Sequence, residues 1–215
     1  VIASFAEQVP ASIKEFNCLD VVNSAWAFAT LREADPHLFS TMAERCLADD
    51  GRLLKEATPQ QLANLAWAYA AANLAATEGS LLTGVSLAAK EKLGKFSTQE
   101  LANLVWAFTS SAVKAEDLCQ AVGDLMMSGS VQRLCEAMLP EVLIKWAVDL
   151  QAILQSFRSV DFEHPVMAWS ESQAMPLLGR TLDARLIGAL QPPTRPLRPT
   201  AQSPRLVFDN EDRCV

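Results

Sequence analysis

Apolar and polar positions alternate between two patterns along the first 150 residues. In the first, a dozen residues are apolar on two adjoining sides. At about 100° per residue, Leu62, Leu65, Ala66 and Tyr69 share one side of a helix and Ala63, Trp67 and Ala70 the next. Only Gln60, Gln61, Asn64, Ala68 and Ala71 are left as a small or polar arc. Such a segment predicts a helix enclosed by neighbours on two sides. In the second pattern apolar residues recur one turn apart on a single side, as Leu38, Met42 and Cys46 and again as Leu118, Val122 and Met126. These predict amphipathic helices with one wet face. No segment alternates with period two for long enough to predict a sheet, so the expected fold class is all-α.

The two-sided pattern repeats. Cys18–Ala29, Pro59–Ala70 and Thr98–Thr109 align residue for residue, and Trp26, Trp67, Trp106 and Trp146 are spaced by 41, 39 and 40 residues. In the last copy Leu143 stands at the asparagine position, counted from Trp146, and Phe5–Gln8 echoes Met42–Arg45. Each unit reads as a helix pair. Thr58-x-x-Gln61 with Pro59, and Ser97-x-x-Glu100, are capping-box signals for the first helix, and Asp35-Pro36 starts the second. The predicted architecture is an α-solenoid of antiparallel helix pairs with a period of about 40 residues. It occupies residues 1–160, as a truncated unit, three clear units and a degenerate one. A capping helix is expected within 161–190, over Leu177–Leu190, and a Pro/Arg-rich disordered tail is expected over 191–215.

Stacked units bring the polar arcs together into one strip: Asp20, Asn23, Ala27 and Thr30, then the arc of the second unit, then Gln99, Glu100, Asn103, Ala107 and Ser110. That strip is the expected binding surface. Asn23, Asn64 and Asn103 are the same in every clear copy, which suits a structural ladder or contact with something invariant. Asp20, Gln60, Gln61, Gln99, Glu100 and Ser110 vary, which suits selectivity. The tryptophans, set among alanines, are expected in the core.

Composition narrows the chemistry. A net charge of −7 argues against binding by bulk positive charge, although residues 51–115 alone carry net +2, with Lys90, Lys92 and Lys95 close together. The five cysteines show no two-residue spacing, and the two histidines, His37 and His164, have no ligand partner at metal spacing, so both are expected to be surface or packing residues and no metal is expected. No phosphate-binding glycine loop, nucleophile elbow or zinc-protease motif occurs. No enzyme activity and no cofactor are therefore expected. The longest apolar run, Leu62–Ala76, contains two asparagines and is too short for a span of about 20 residues, so no membrane partner is expected.

The segments Gln60–Ala70 and Gln99–Phe108 resemble the octotricopeptide-type repeat. This roughly 40-residue helical pair is shared with FAST-kinase-like, RAP-associated organellar proteins and with the helical repeat subunit of the RNA-editing substrate-binding complex. The resemblance covers about residues 1–150. It implies single-stranded RNA binding, not DNA binding, in a mitochondrion or chloroplast, in RNA processing, editing or stability. The candidate RNA contacts are then the strip residues Asp20, Asn23, Gln60, Gln61, Asn64, Gln99, Glu100, Asn103 and Ser110, with Lys90, Lys92 and Lys95 for phosphate. The charge supports an alternative, a protein-interaction scaffold that grips a peptide or partner helix on its concave face.

Overall fold

The computed structural model describes residues 8–111, 113, 115–129 and 140–181. Residues 182–190 of the expected capping helix, the tail 191–215 and most of the Phe5–Gln8 echo lie outside the described residues. Among those described, every regular element is helical. The α-helices in chain order are α1 (Cys18–Leu31), α2 (Pro36–Glu56), α3 (Pro59–Ala71), α4 (Gly79–Glu91), α5 (Thr98–Thr109), α6 (Glu116–Ser128), α7 (Pro140–Ser159), α8 (Pro165–Trp169) and α9 (Met175–Thr181), with short 3-10 turns at Ile13–Glu15 and Leu93–Lys95. A π-helical turn, Ser170–Ala174, joins the last two, so the covering helix expected from Leu177 is already under way at Pro165.

The two sequence patterns become two rows. The two-sided helices form an A row in which α1 packs on α3, α3 on α5 and α5 on α7. The one-sided helices form a B row of α2, α4, α6 and α8, each against the next, and α1 with α2, α3 with α4 and α5 with α6 close the rows on one another. The core lies between them. Small side chains enable the close A-row contacts: Ala25, Ala63, Ala66, Ala68 and Ala107 are all fully buried. The B row contributes its predicted stripe, with Leu38, Met42 and Cys46 buried from α2 and Leu118, Val122 and Met126 from α6. Burial pushes the thiols of Cys18 and Cys119 up to about 11 and that of Cys46 up to about 12, so all three are inert packing groups.

Local signals fix the ends of the A-row helices. Asn17, Thr58 and Ser97 each accept from the backbone N–H three residues on, while Asp20, Gln61 and Glu100 reach back to the cap N–H at 2.9, 2.9 and 2.7 Å. Asp35 caps α2 in the same position, accepting from Leu38 N–H at 2.9 Å. At the other end, the chain leaves α1 through Arg32, α3 through Asn73 and α7 through Asp161, each in the left-handed region. In each case the next amide bonds back to the carbonyl five residues earlier: Glu33 to Phe28, Leu74 to Tyr69 and Phe162 to Phe157. These are Schellman closures made without glycine.

Two departures from the sequence pattern have local causes. Helix α2 is broken at Ala48–Gly51, where Asp49, Asp50 and Gly51 have φ of 53°, 57° and 68° and re-aim the last turn. Helix α7 begins at Pro140, which sets Pro140 level with Pro59 and Thr98 and makes Leu143 the equivalent of the buried Leu62 and Leu101. In that register Lys145, not Leu143, occupies the asparagine position, and Trp146 lies level with the buried Leu104 instead of with Trp106. The 40-residue step from Trp106 to Trp146 therefore does not join equivalent positions.

Candidate functional site

Counted from the first helical residue, positions 2, 6, 9 and 13 of each A-row helix fall within an arc of about 60°. They are Leu19, Asn23, Trp26 and Thr30 on α1, Gln60, Asn64, Trp67 and Ala71 on α3, and Gln99, Asn103, Trp106 and Ser110 on α5. This arc is the side of the A row that reaches solvent: Leu19, Gln60, Thr30, Ala71 and Ser110 are exposed, and Gln99 is half-buried. The expected core role holds for Trp146, which is buried in the core, and needs correcting for the other three aligned tryptophans. Trp26, Trp67 and Trp106 are half-buried on this face, and Trp67 and Trp106 press one side against the core. The signal was present in the sequence as a spacing of three between each Asn and its Trp, one helical turn on the same side. Side chains on a helix lean toward its N-terminus, so each indole lies over the turn that carries its asparagine. Asn64 is 3% exposed although it belongs to the open arc, whereas Asn23 and Asn103 are half-buried.

The asparagines do not form a ladder among the described residues. Asn23 Oδ1 is buried without a hydrogen-bond partner, and so is Trp67 Nε1. One is an acceptor on α1 and the other a donor on α3, both on the same face. Each unmatched buried group costs about 1–3 kcal/mol.

The remaining predicted residues divide by what already holds them. Asp20, Gln61 and Glu100 are the return partners of the capping boxes, so their side chains are committed to the helix starts. Gln60 is exposed on the face. Gln99 accepts from Lys145 Nζ at 2.7 Å, which joins α5 to α7 at the equivalent of the asparagine position. Lys92 is occupied internally, donating at 2.8 Å to both the Lys55 and the Ala57 carbonyls at the end of α2. Lys90 pairs with Asp117 at 3.5 Å, and Lys95 is exposed at the turn before α5. Two of the three lysines are therefore already engaged within the protein.

Histidine 164 is not on the surface. Its ring is buried, its Nδ1 accepts from Val166 N–H at 3.0 Å as the cap of α8, and its Nε2 lies 3.0 Å from Gln120 Nε2 and 3.4 Å from Asp124. Among the described residues no cluster of His, Cys, Asp and Glu is arranged to hold a metal ion, and no helix is long and apolar enough to cross a membrane.

No family model matches this chain, and no curated protein matches it.

Proposed function

We propose that the chain is a section of an α-solenoid of antiparallel helix pairs with a period of about 40 residues, whose A-row face holds a single strand of RNA. The observation that supports this reading is the Asn–Trp pair recurring at positions 6 and 9 of α1, α3 and α5 on one open face. Indole faces stack on any base, at about 1–3 kcal/mol per base, and an unvarying carboxamide suits the unvarying sugar-phosphate chain. The resemblance to octotricopeptide-type repeats favours RNA as the polymer and a mitochondrion or chloroplast as the setting. The role is that of a binding adaptor in RNA processing, editing or stability, without catalysis of its own.

A second reading is favoured by the charge. The net charge is −7, and Lys90, Lys92 and Lys145 are already paired or bonded within the protein. An extended peptide presents the same regular donors and acceptors without needing cations. Fluorescence titration of the parent, Trp67→Ala and Trp106→Ala with labelled single-stranded RNA at several salt concentrations separates the two. For RNA, binding should fall about tenfold in each variant, with a shallow salt dependence equivalent to only one or two phosphate contacts. If the parent binds no RNA at low salt, the peptide reading takes its place.

A further inference from the structure

A recess of about 500 Å³ opens where the end of α5, the start of α6 and the α7–α8 connection meet. It lies apart from the A-row face and owes nothing to the RNA reading. Phe108, Cys119 and Phe162 supply an apolar floor, and Val160, 47% exposed, forms an apolar rim. The same lining carries three carboxylates, Glu116, Asp161 and Glu163, all exposed, and no Lys or Arg among the described residues. None of the three is in an ion pair among those residues. The left-handed closure at Asp161 creates this arrangement, because it turns the chain at the end of α7 and brings Phe162 beside the carboxylates.

An aromatic wall beside unpaired carboxylates matches one side chain in particular. A guanidinium stacks flat on an aromatic ring while forking to a carboxylate, and its three-carbon stem lies on apolar surface. An ammonium suits the carboxylates but gains less from the ring. The wall also suits proline, since extended proline-rich segments dock on aromatic-lined grooves.

The chain itself contains a segment of this chemistry. Residues 191–205 include Pro192, Pro193, Pro196, Pro199 and Pro204, with Arg195, Arg198 and Arg205. Arg195 and Arg198 are three residues apart, so an extended proline-type helix of three residues per turn sets them on one edge, about 9 Å apart. Reach is sufficient. The helical run from Pro165 to Thr181 carries the chain about 25 Å from the recess, whereas the 13 residues from 182 to 194 extend to about 40 Å. We infer that this recess is a docking site for arginine side chains on an extended, proline-stiffened segment, and that residues 191–205 of the same chain occupy it.

Zero-length carbodiimide coupling in the full chain tests this. Arg195→Lys with Arg198→Lys keeps both cations and supplies amines that couple to carboxylates in contact. Peptide mapping by mass spectrometry should find Lys at 195 or 198 joined to Glu116, Asp161 or Glu163. The expected yield is roughly tenfold above that for equally exposed carboxylates such as Glu33 or Glu56, as a tethered segment's raised local concentration implies. It should be independent of protein concentration and fall at high salt. Links spread evenly over the surface, or no links, overturn the proposal. Links that form only between copies, and vanish on dilution, overturn the assignment to the chain's own segment.

Discussion

The hydroxyl of Tyr69 donates to the backbone carbonyl of Phe39 at 2.7 Å, while the two rings meet edge to face with centroids 4.9 Å apart. The contact pins α3 to α2 and lies wholly inside the core. The equivalent positions on α1 and α5 are Phe28 and Phe108, which have no hydroxyl to offer. Tyr69→Phe keeps the ring contact and removes only the hydrogen bond, so it should cost about 0.5–1.5 kcal/mol in urea unfolding with an unchanged m-value. A variant as stable as the parent would show that the hydroxyl adds nothing.

Gly123 on α6 exists to admit His164. A Cβ at residue 123 would stand 2.5 Å from the imidazole carbon and Nδ1, inside any real contact distance. Gly123→Ala gains helix propensity but must displace the ring that caps α8, so a net loss of about 1–3 kcal/mol is expected. The melting temperature should fall accordingly. Gly84→Ala is the comparison: its Cβ meets only flexible side-chain ends, of Leu54 at 2.8 Å and Leu47 at 3.4 Å, and the loss should be smaller.

Lys92 is a stability residue in this fold. Its ammonium closes the end of α2, and Lys92→Ala should cost on the order of 1 kcal/mol, reduced from the usual strength of a charged hydrogen bond because the group is half-exposed. Lys95→Ala should be nearly silent. Equal midpoints for the two variants in urea would contradict this division.

Asp149 on α7 gives a pH signature. It is 7% exposed, accepts from Thr98 Oγ1 at 2.6 Å and pairs with Lys145 at 3.5 Å. Burial outweighs both partners and holds its carboxyl above the ordinary value of 3.8. The folded protein thus binds this proton more tightly than the unfolded chain, so the stability contributed by Asp149 declines as pH rises from 3.8 through the raised folded value, and is level beyond it. Asp149→Asn keeps an acceptor for Thr98 and abolishes the decline. The difference in unfolding free energy between variant and parent should therefore grow in the variant's favour over that interval. A constant difference at every pH would show that Asp149 titrates alike in both states.

The sequence made the helix starts legible because capping is local: Thr58 with Gln61 and Ser97 with Glu100 lie within one turn. The same locality hid their meaning for the binding face, since a residue that varies between copies looks like a reader until its side chain is seen tied to a cap. Trp26, Trp67 and Trp106 depart from the expected core position for a different reason. A helix that is apolar on two sides leaves the edge of its open face ambiguous, and an indole can belong to core and surface at once. The fourth copy was read from Trp146, whereas the helix start at Pro140 sets the register by burial. The recess and the Lys92 bridge were not legible at all, because each joins residues about 35 or more positions apart in the chain.

In the A row, each principal contact joins helices that begin about forty residues apart, and none requires the ends of the chain to meet. Folding can then begin in the middle, where α3 and α5 each have an A-row neighbour on both flanks, and advance outward like the closing of a zip in both directions. Helices α1 and α7 each have one such neighbour among the described residues and should open first. Backbone amides of α3 and α5 should accordingly exchange with solvent most slowly, with protection declining toward both margins. The molecule has a centre of stability without having a nucleus that any single distant contact must complete.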